Sequence, residues 1–134
     1  MLEFTEKMTP EAAQAEFERW AYDTKKLRPV ALKKHAYACE NFIDALCDGT
    51  LTIEEDGSII QKLAFEIAGK TQLKYKPRLT VGELSRALDS RGTDTEKARK
   101  MVSILTGEMT TVLEKIDSND WAVANSVTVF YYLG

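Results

Sequence analysis

The chain has 134 residues, the size of one domain, with 44% hydrophobic residues to fill a core and 29% charged residues to solvate its surface. A formal net charge of −3 and a pI near 5.3 give no general attraction for phosphate backbones or anionic lipid, which counts against nucleic-acid and membrane roles and leaves protein partners open. No apolar run approaches the roughly 18 residues of a spanning helix, and the opening MLEFTEKMTPEAAQ lacks a basic region followed by an apolar one, so a cytoplasmic protein is expected.

The first helix is predicted to start at Thr9, whose hydroxyl can cap it, with Pro10 in the first turn where a missing N–H costs nothing. Ala13, Phe17, Trp20 and Leu27 recur at spacings of four, three and seven and gather on one face. After KKLRP, Pro29 opens a second helix in which Leu32, Ala36, Cys39, Ile43 and Leu46 alternate steps of four and three, up to a C-terminal cap at Gly49. Lys33, Lys34, Glu40 and Asp44 form the solvated side of that helix.

The period then changes. In TLTIEEDGSII, Leu51 and Ile53 alternate with threonines, and Asp56-Gly57 suits a tight turn before Ile59 and Ile60, which reads as a β-hairpin. In QLKYKPRL, Leu73 and Tyr75 alternate with Lys74 and Lys76, and Pro77 sits where a sheet edge tolerates it, so a third strand is expected. Two helices follow with one start signal, Thr80 before Glu83 and Thr93 before Glu96, at the spacing of a capping box. SRGTD is the turn between them. Met101, Ile104 and Leu105 stripe the second of these helices, and Gly107 stops it. TTVLEKI makes a short helix, and Asp117 or Ser118 caps a last one through Trp121, Ala124, Val127 and Tyr131. The β-branched and aromatic run VTVFYYL also suits a strand, but the upstream caps and alanines favour helix.

The fold class is therefore α+β and mainly α-helical: five or six helices with a small antiparallel β-hairpin or three-stranded sheet in the middle. One domain spans residues 1–134, with two N-terminal helices over about 9–48, a hairpin region over about 50–79 and a helical region over about 81–133.

Each candidate for chemistry has an ordinary structural explanation. Cys39 and Cys47 lie eight apart in one predicted helix, about 12 Å along its axis, beyond the roughly 7 Å a disulfide allows. With His35 the only histidine and no CxxC spacing, neither a metal nor a cofactor is expected. Gly69-Lys70-Thr71 imitates the end of a phosphate-binding loop, but position 64 is Ala64 where that loop needs glycine, and the residues after Thr71 alternate like a strand. Glu54, Glu55 and Asp56 fit turn chemistry, and Asp117 and Asp120 fit helix capping; neither group has the ligand order of a calcium loop. Cys39 and His35 are within helical reach as a thiol–imidazole pair, yet the thiol falls on the apolar stripe, where burial leaves it inert. Lys25, Lys26, Arg28, Lys33 and Lys34 form the one positive cluster, with no stacking aromatics interleaved. No catalytic residue is assigned, and no enzyme is expected.

The remaining feature is apolar excess at the C-terminal end. Trp121, Val127, Phe130, Tyr131 and Tyr132 stand on a helix that a domain this small is not expected to bury on every side; most of this apolar area is expected to be core, and tyrosine and tryptophan at its edge are favoured anchors for a partner. These five are the candidate partner-binding residues.

The second half carries a pattern: Arg78, Thr80 and Glu83 at a helix start, Leu105, Thr106 and Gly107 at a helix end, then Ile116, Asp117, Asp120 and Trp121 opening a final apolar helix. This order of caps and apolar positions, over roughly residues 45–133, resembles the tail assembly chaperones of long-tailed bacteriophages. The resemblance implies a cofactor-free protein that binds the long, helical tape measure protein and keeps it soluble in the bacterial cytoplasm while tail tube protein assembles around it. It also leaves room for a homo-oligomer built through the apolar end. The competing expectation from another class is a structural subunit of a phage tail or other virion assembly, docked permanently through the same surface.

Overall fold

The computed structural model describes residues 8–89 and 91–132. Thr9 opens α1 (Pro10–Arg19), its Oγ1 accepting from the Ala12 amide at 3.2 Å, and Ala13 and Phe17 turn inward. Past Arg19 the helix widens into a π turn, Trp20–Thr24, in which the Lys25 amide donates to the Trp20 carbonyl at 2.9 Å. The wider turn is tied to the middle of the chain. Trp20 Nε1 donates to the Gly57 carbonyl at 2.9 Å, and Arg78 donates to the Thr24 carbonyl at 2.9 Å. Gly57 holds φ at 90°, and a Cβ there would stand 2.3 Å from Thr24 Cγ2, so both the backbone angle and the close approach demand glycine.

The predicted second helix is two: α2 (Pro29–Lys34) and α3 (Ala36–Asp48), separated at His35, whose φ of −123° and ψ of 42° leave the helical region. The apolar spacing survives because the break is short. The His35 amide still donates to Leu32, and its carbonyl accepts from Cys39, both at 3.0 Å. Periodicity reports the buried face and does not detect one residue stepping out of line. Gly49, at φ 83°, caps α3 as expected.

Strands β1 (Leu51–Ile53), β2 (Ile59–Ile67) and β3 (Lys70–Tyr75) form an antiparallel sheet in that order. Ile53 pairs with Ile59, Ile59 with Tyr75 and Gln61 with Leu73, which sends Leu51, Ile59, Gln61, Leu73 and Tyr75 inward and Thr52, Lys62, Gln72 and Lys74 outward. The central strand is longer than its sequence suggests, because the register shifts between Lys62 and Ile67 and interrupts the alternation. Ala68 and Gly69, at φ 50° and 80°, make the turn into β3.

Capping boxes at Thr80/Glu83 and Thr93/Glu96 open α4 (Val81–Leu88) and α5 (Asp94–Thr106), and Gly107 at φ 78° ends α5. A single turn, α6 (Thr110–Leu113), leads to α7 (Ser118–Tyr132). Asp117 starts α7: its side chain accepts from the Asn119 amide at 2.9 Å and its carbonyl from Trp121 at 2.8 Å. The expected α+β, mainly helical architecture is thus observed, with two short helices, α2 and α6, adding to five substantial ones among the described residues. In the middle lies α7, packed against α3, α5 and β2, with its Ala124, Val127 and Phe130 fully buried. Among the described residues no helix is long and apolar enough to cross a membrane.

Candidate functional site

Phe130 stands with its ring centroid 5.3 Å from Phe17, 5.9 Å from Trp20 and 5.4 Å from Phe42, edge-on to all three, while Trp20 stacks on Phe42 at 5.0 Å. These rings come from α1, the π turn, α3 and α7, and together they join both halves of the chain. Edge-to-face and offset geometries of this kind add about 0.5–1.5 kcal/mol per pair beyond area burial. Tyr131 closes the cluster toward solvent, its hydroxyl donating to the Lys76 carbonyl at 2.7 Å and its ring lying 3.6 Å beneath Lys25 Nζ. Burial pushes the Tyr131 phenol well above its ordinary value.

This arrangement corrects the expected partner-binding face. Val127, Phe130 and Tyr131 are buried within the chain itself, and only Trp121, half-buried, and Tyr132, 40% exposed, keep surface. The reason is geometric: α7 is apolar nearly all round, and a helix of that kind is one that neighbours enclose. Here α3, α5 and the sheet cover Ala124, Val127, Phe130 and Tyr131, while Ala122 and Asn125 stay exposed.

A buried polar chain runs beside the ring cluster. Tyr75 donates to Gln61 Oε1 at 2.6 Å, Gln61 Nε2 donates to the Asp120 carbonyl at 2.9 Å, and the Asp120 carboxylate accepts from the amides of Ala64 and Phe65 at 2.9 and 3.0 Å. Burial, with smaller contributions from Tyr131 and Asp120, drives the Tyr75 phenol far upward. Asp120 is only 3% exposed, so it holds the irregular part of β2 and does not merely complement the helix end. Its partners lie more than fifty residues back in sequence, and nothing local signals them.

The other acid and thiol candidates are likewise absorbed by the frame. Asp56 accepts from the Ser58 amide at 2.9 Å, which holds its carboxyl below the usual range and braces the hairpin turn. Cys39 Sγ donates to the Leu32 carbonyl at 3.6 Å, and burial pushes its thiol up, the direction that disfavours a nucleophile. Cys47 stands half-buried farther along α3. Lys70 opens β3 and pairs with Glu108. Among the described residues no group of three His, Cys, Asp or Glu side chains is placed to hold a metal ion.

Exposed large apolar side chains are scattered over the described surface, at Tyr22, Val30, Tyr37, Phe65, Met109 and Tyr132, and two more, Val81 and Leu88, share one short helix. On α4, Val81 is 82% and Leu88 46% exposed, Leu84 is half-buried and Ala87 is fully buried. At 100° per residue these four fall within an arc of about 120°, with Ala87 at the edge turned to the protein and Val81 at the edge turned away. The helix packs on α5, which covers one side of the stripe and leaves the other open. The capping-box signal at Thr80 drew attention to how α4 begins, while the wide stripe behind it was the available sign of a second face.

No family model matches this sequence, and no curated protein or solved structure matches it either.

Proposed function

We propose that this chain is a tail assembly chaperone of a long-tailed bacteriophage, a non-enzymatic protein that holds the tape measure protein soluble in the host cytoplasm while tail tube protein assembles around it. The ordered pattern from Arg78 to Trp121 supports the family reading. The observation that carries the binding role is the half-open apolar stripe of α4, where Val81 and Leu88 reach solvent beside a half-buried Leu84. A long helical client exposes apolar stripes of its own, and covering one stripe with another is helix-in-groove recognition. The outer sheet face, with Lys62 and Lys74, and the acidic balance of the chain keep the remainder hydrated.

Co-expression with the tape measure protein encoded beside this gene tests the proposal. The wild-type chain raises the soluble fraction of that protein, and Val81→Ser with Leu88→Ser abolishes the effect without unfolding the chain, since both side chains are exposed. A client equally insoluble with and without the wild-type chain ends the chaperone reading. A double variant that protects as well as wild type removes α4 as the binding face.

A further inference from the structure

Three of the five residues of the positive cluster, Lys26, Arg28 and Lys34, line a common cleft, while Lys25 turns to the Pro77 carbonyl and the Tyr131 ring and Lys33 lines a different cleft. Lys26, Arg28, Lys34 and His35 line an open cleft of about 800 Å³ whose apolar lining includes the buried Leu27, the exposed Val30 and, from the far end of the chain, Tyr132. Among the described residues no carboxylate lines it, although the chain as a whole is acidic. The backbone around it is unusual in three places. The π turn Trp20–Thr24 precedes it, Lys26 is held in the left-handed region at φ 56°, and His35 breaks the helix between α2 and α3. Helix widening and left-handed non-glycine residues are departures that functional sites retain against their conformational cost. At Lys26 the left-handed angle stands in a side chain that reaches the cleft, not in a glycine placed there for a turn.

We propose that this cleft binds an acidic segment of a partner polypeptide, with a carboxylate between Arg28 and the lysines and an apolar side chain seated against Val30 and Tyr132. Arg28 offers a planar fork suited to carboxylate, and Lys26 and Lys34 add point charges on the rim. A nucleic-acid strand suits the site less well. Glu16, Asp23, Glu54 and Glu55, with Arg19 as the one cation among them, line a second cleft at the π turn that precedes the basic one, and the chain as a whole is acidic, so the positive field is confined to a stretch that suits a short acidic segment better than a long polyanion. The site is independent of the chaperone reading, because neither Val81 nor Leu88 belongs to it.

The test is fluorescence anisotropy of the intact chain with a labelled peptide of repeated Glu-Glu-Leu-Phe units, beside the same peptide with glutamine for glutamate and a single-stranded oligonucleotide. The acidic peptide binds, the glutamine peptide does not, and Arg28→Glu with Lys34→Glu weakens the acidic peptide by about tenfold or more at unchanged circular dichroism. Lys26→Gly removes a charge from the cleft while relieving the left-handed strain, so a fall in peptide affinity without a fall in melting temperature separates loss of the site from loss of the fold. Absence of acidic-peptide binding, equal binding by the charge-reversed chain, or an oligonucleotide that binds more tightly than the peptide overturns the proposal.

Discussion

Replacement of Asp120 by alanine is expected to damage the fold more than its place on the first turn of a helix suggests. Its carboxylate accepts two backbone amides, from Ala64 and Phe65, at 2.9 and 3.0 Å, and the residue is 3% exposed. A hydrogen bond to a charged acceptor contributes about 1.5–3 kcal/mol when both partners are withdrawn from water. Ala64 and Phe65 have exposed side chains, so water can reach part of this strand and the loss falls below the sum of two such bonds. About 3 kcal/mol is the expected total for Asp120→Ala, a large share of the roughly 5–15 kcal/mol that holds a domain folded. Asp120→Asn keeps one acceptor oxygen but turns an amide N–H toward a backbone N–H, and costs about half as much.

Urea unfolding at neutral pH reads the difference. With a slope of about 1.5 kcal/mol per molar urea, Asp120→Ala lowers the midpoint by about 2 M and Asp120→Asn by about 1 M. Hydrogen exchange localises the effect: the amides of Ala64 and Phe65 lose protection relative to Ile59, whose strand pairing does not depend on the carboxylate. A midpoint within about 0.3 M of wild type for Asp120→Ala, or unchanged protection at Ala64 and Phe65, would refute the assignment of Asp120 as the anchor of β2.

Two further outcomes concern the ring cluster and its edge. Phe130→Ala empties a fully buried site bordered by three rings and costs about 3–5 kcal/mol, whereas Tyr132→Ala, at the exposed end of the same helix, costs under about 1 kcal/mol; equal urea midpoints for the two variants would contradict the core assignment of Phe130. Lys25 gives a pH signature: the Tyr131 ring and the Pro77 carbonyl favour its ammonium, but burial and then Arg78 outweigh them and lower its pKa from 10.5 to about 8. Between those values the unfolded chain binds more protons at this position than the folded one, so this lysine makes stability rise with pH across the window. Tyr75 and Tyr131, raised above 10.0 by burial, act in the opposite sense once the unfolded chain begins to lose its phenolic protons. Lys25→Met flattens the rise above about pH 8 and leaves the decline near pH 10 in place, and a rise that survives the substitution assigns it to another group.

Much of the helical frame was legible because its signals are local. Thr9, Thr80 and Thr93 satisfy amides within their own first turns, and Gly49 and Gly107 take left-handed angles that other residues adopt at a cost. The features that escaped depend on contacts remote in sequence. The π turn is tied to Gly57 and Arg78, and the irregular stretch of β2 is held by a carboxylate from α7. The burial of Val127, Phe130 and Tyr131 is a different case, since its signal was present. In Ser118–Tyr132 the apolar residues are spread round the helix, whereas in Val81–Leu88 they gather on one side. The first pattern fits an element enclosed by its neighbours, and the second fits an element with one covered and one open edge. Aromatic content alone does not separate Phe130 and Tyr131, which the chain buries itself, from Tyr132, which stays exposed, because ring size measures how much area is to be buried and says nothing about which molecule buries it.

The residues that carry the family resemblance all perform work inside this fold. Arg78 holds the π turn, and Thr80 and Glu83 cap α4. Leu105 is buried, Thr106 bonds back to Val102, and Gly107 ends α5. Asp117 starts α7, and Asp120 anchors β2. A pattern built from such positions specifies a frame, and a frame can be kept while the surface on it changes, because the side chains that meet another molecule are under no demand from the core. Val81, Arg28 and Lys34 are of that second kind, exposed and replaceable with little loss of packing, and Leu88 is so in its outer half. On the proposed chaperone reading, the side chains that would set partner choice therefore lie outside the recognisable pattern. Replacement of Thr80, Gly107 or Asp117 is then expected to lower stability, read as a lower urea midpoint, while replacement of Val81 or Arg28 is expected to leave that midpoint in place and change only what the chain binds.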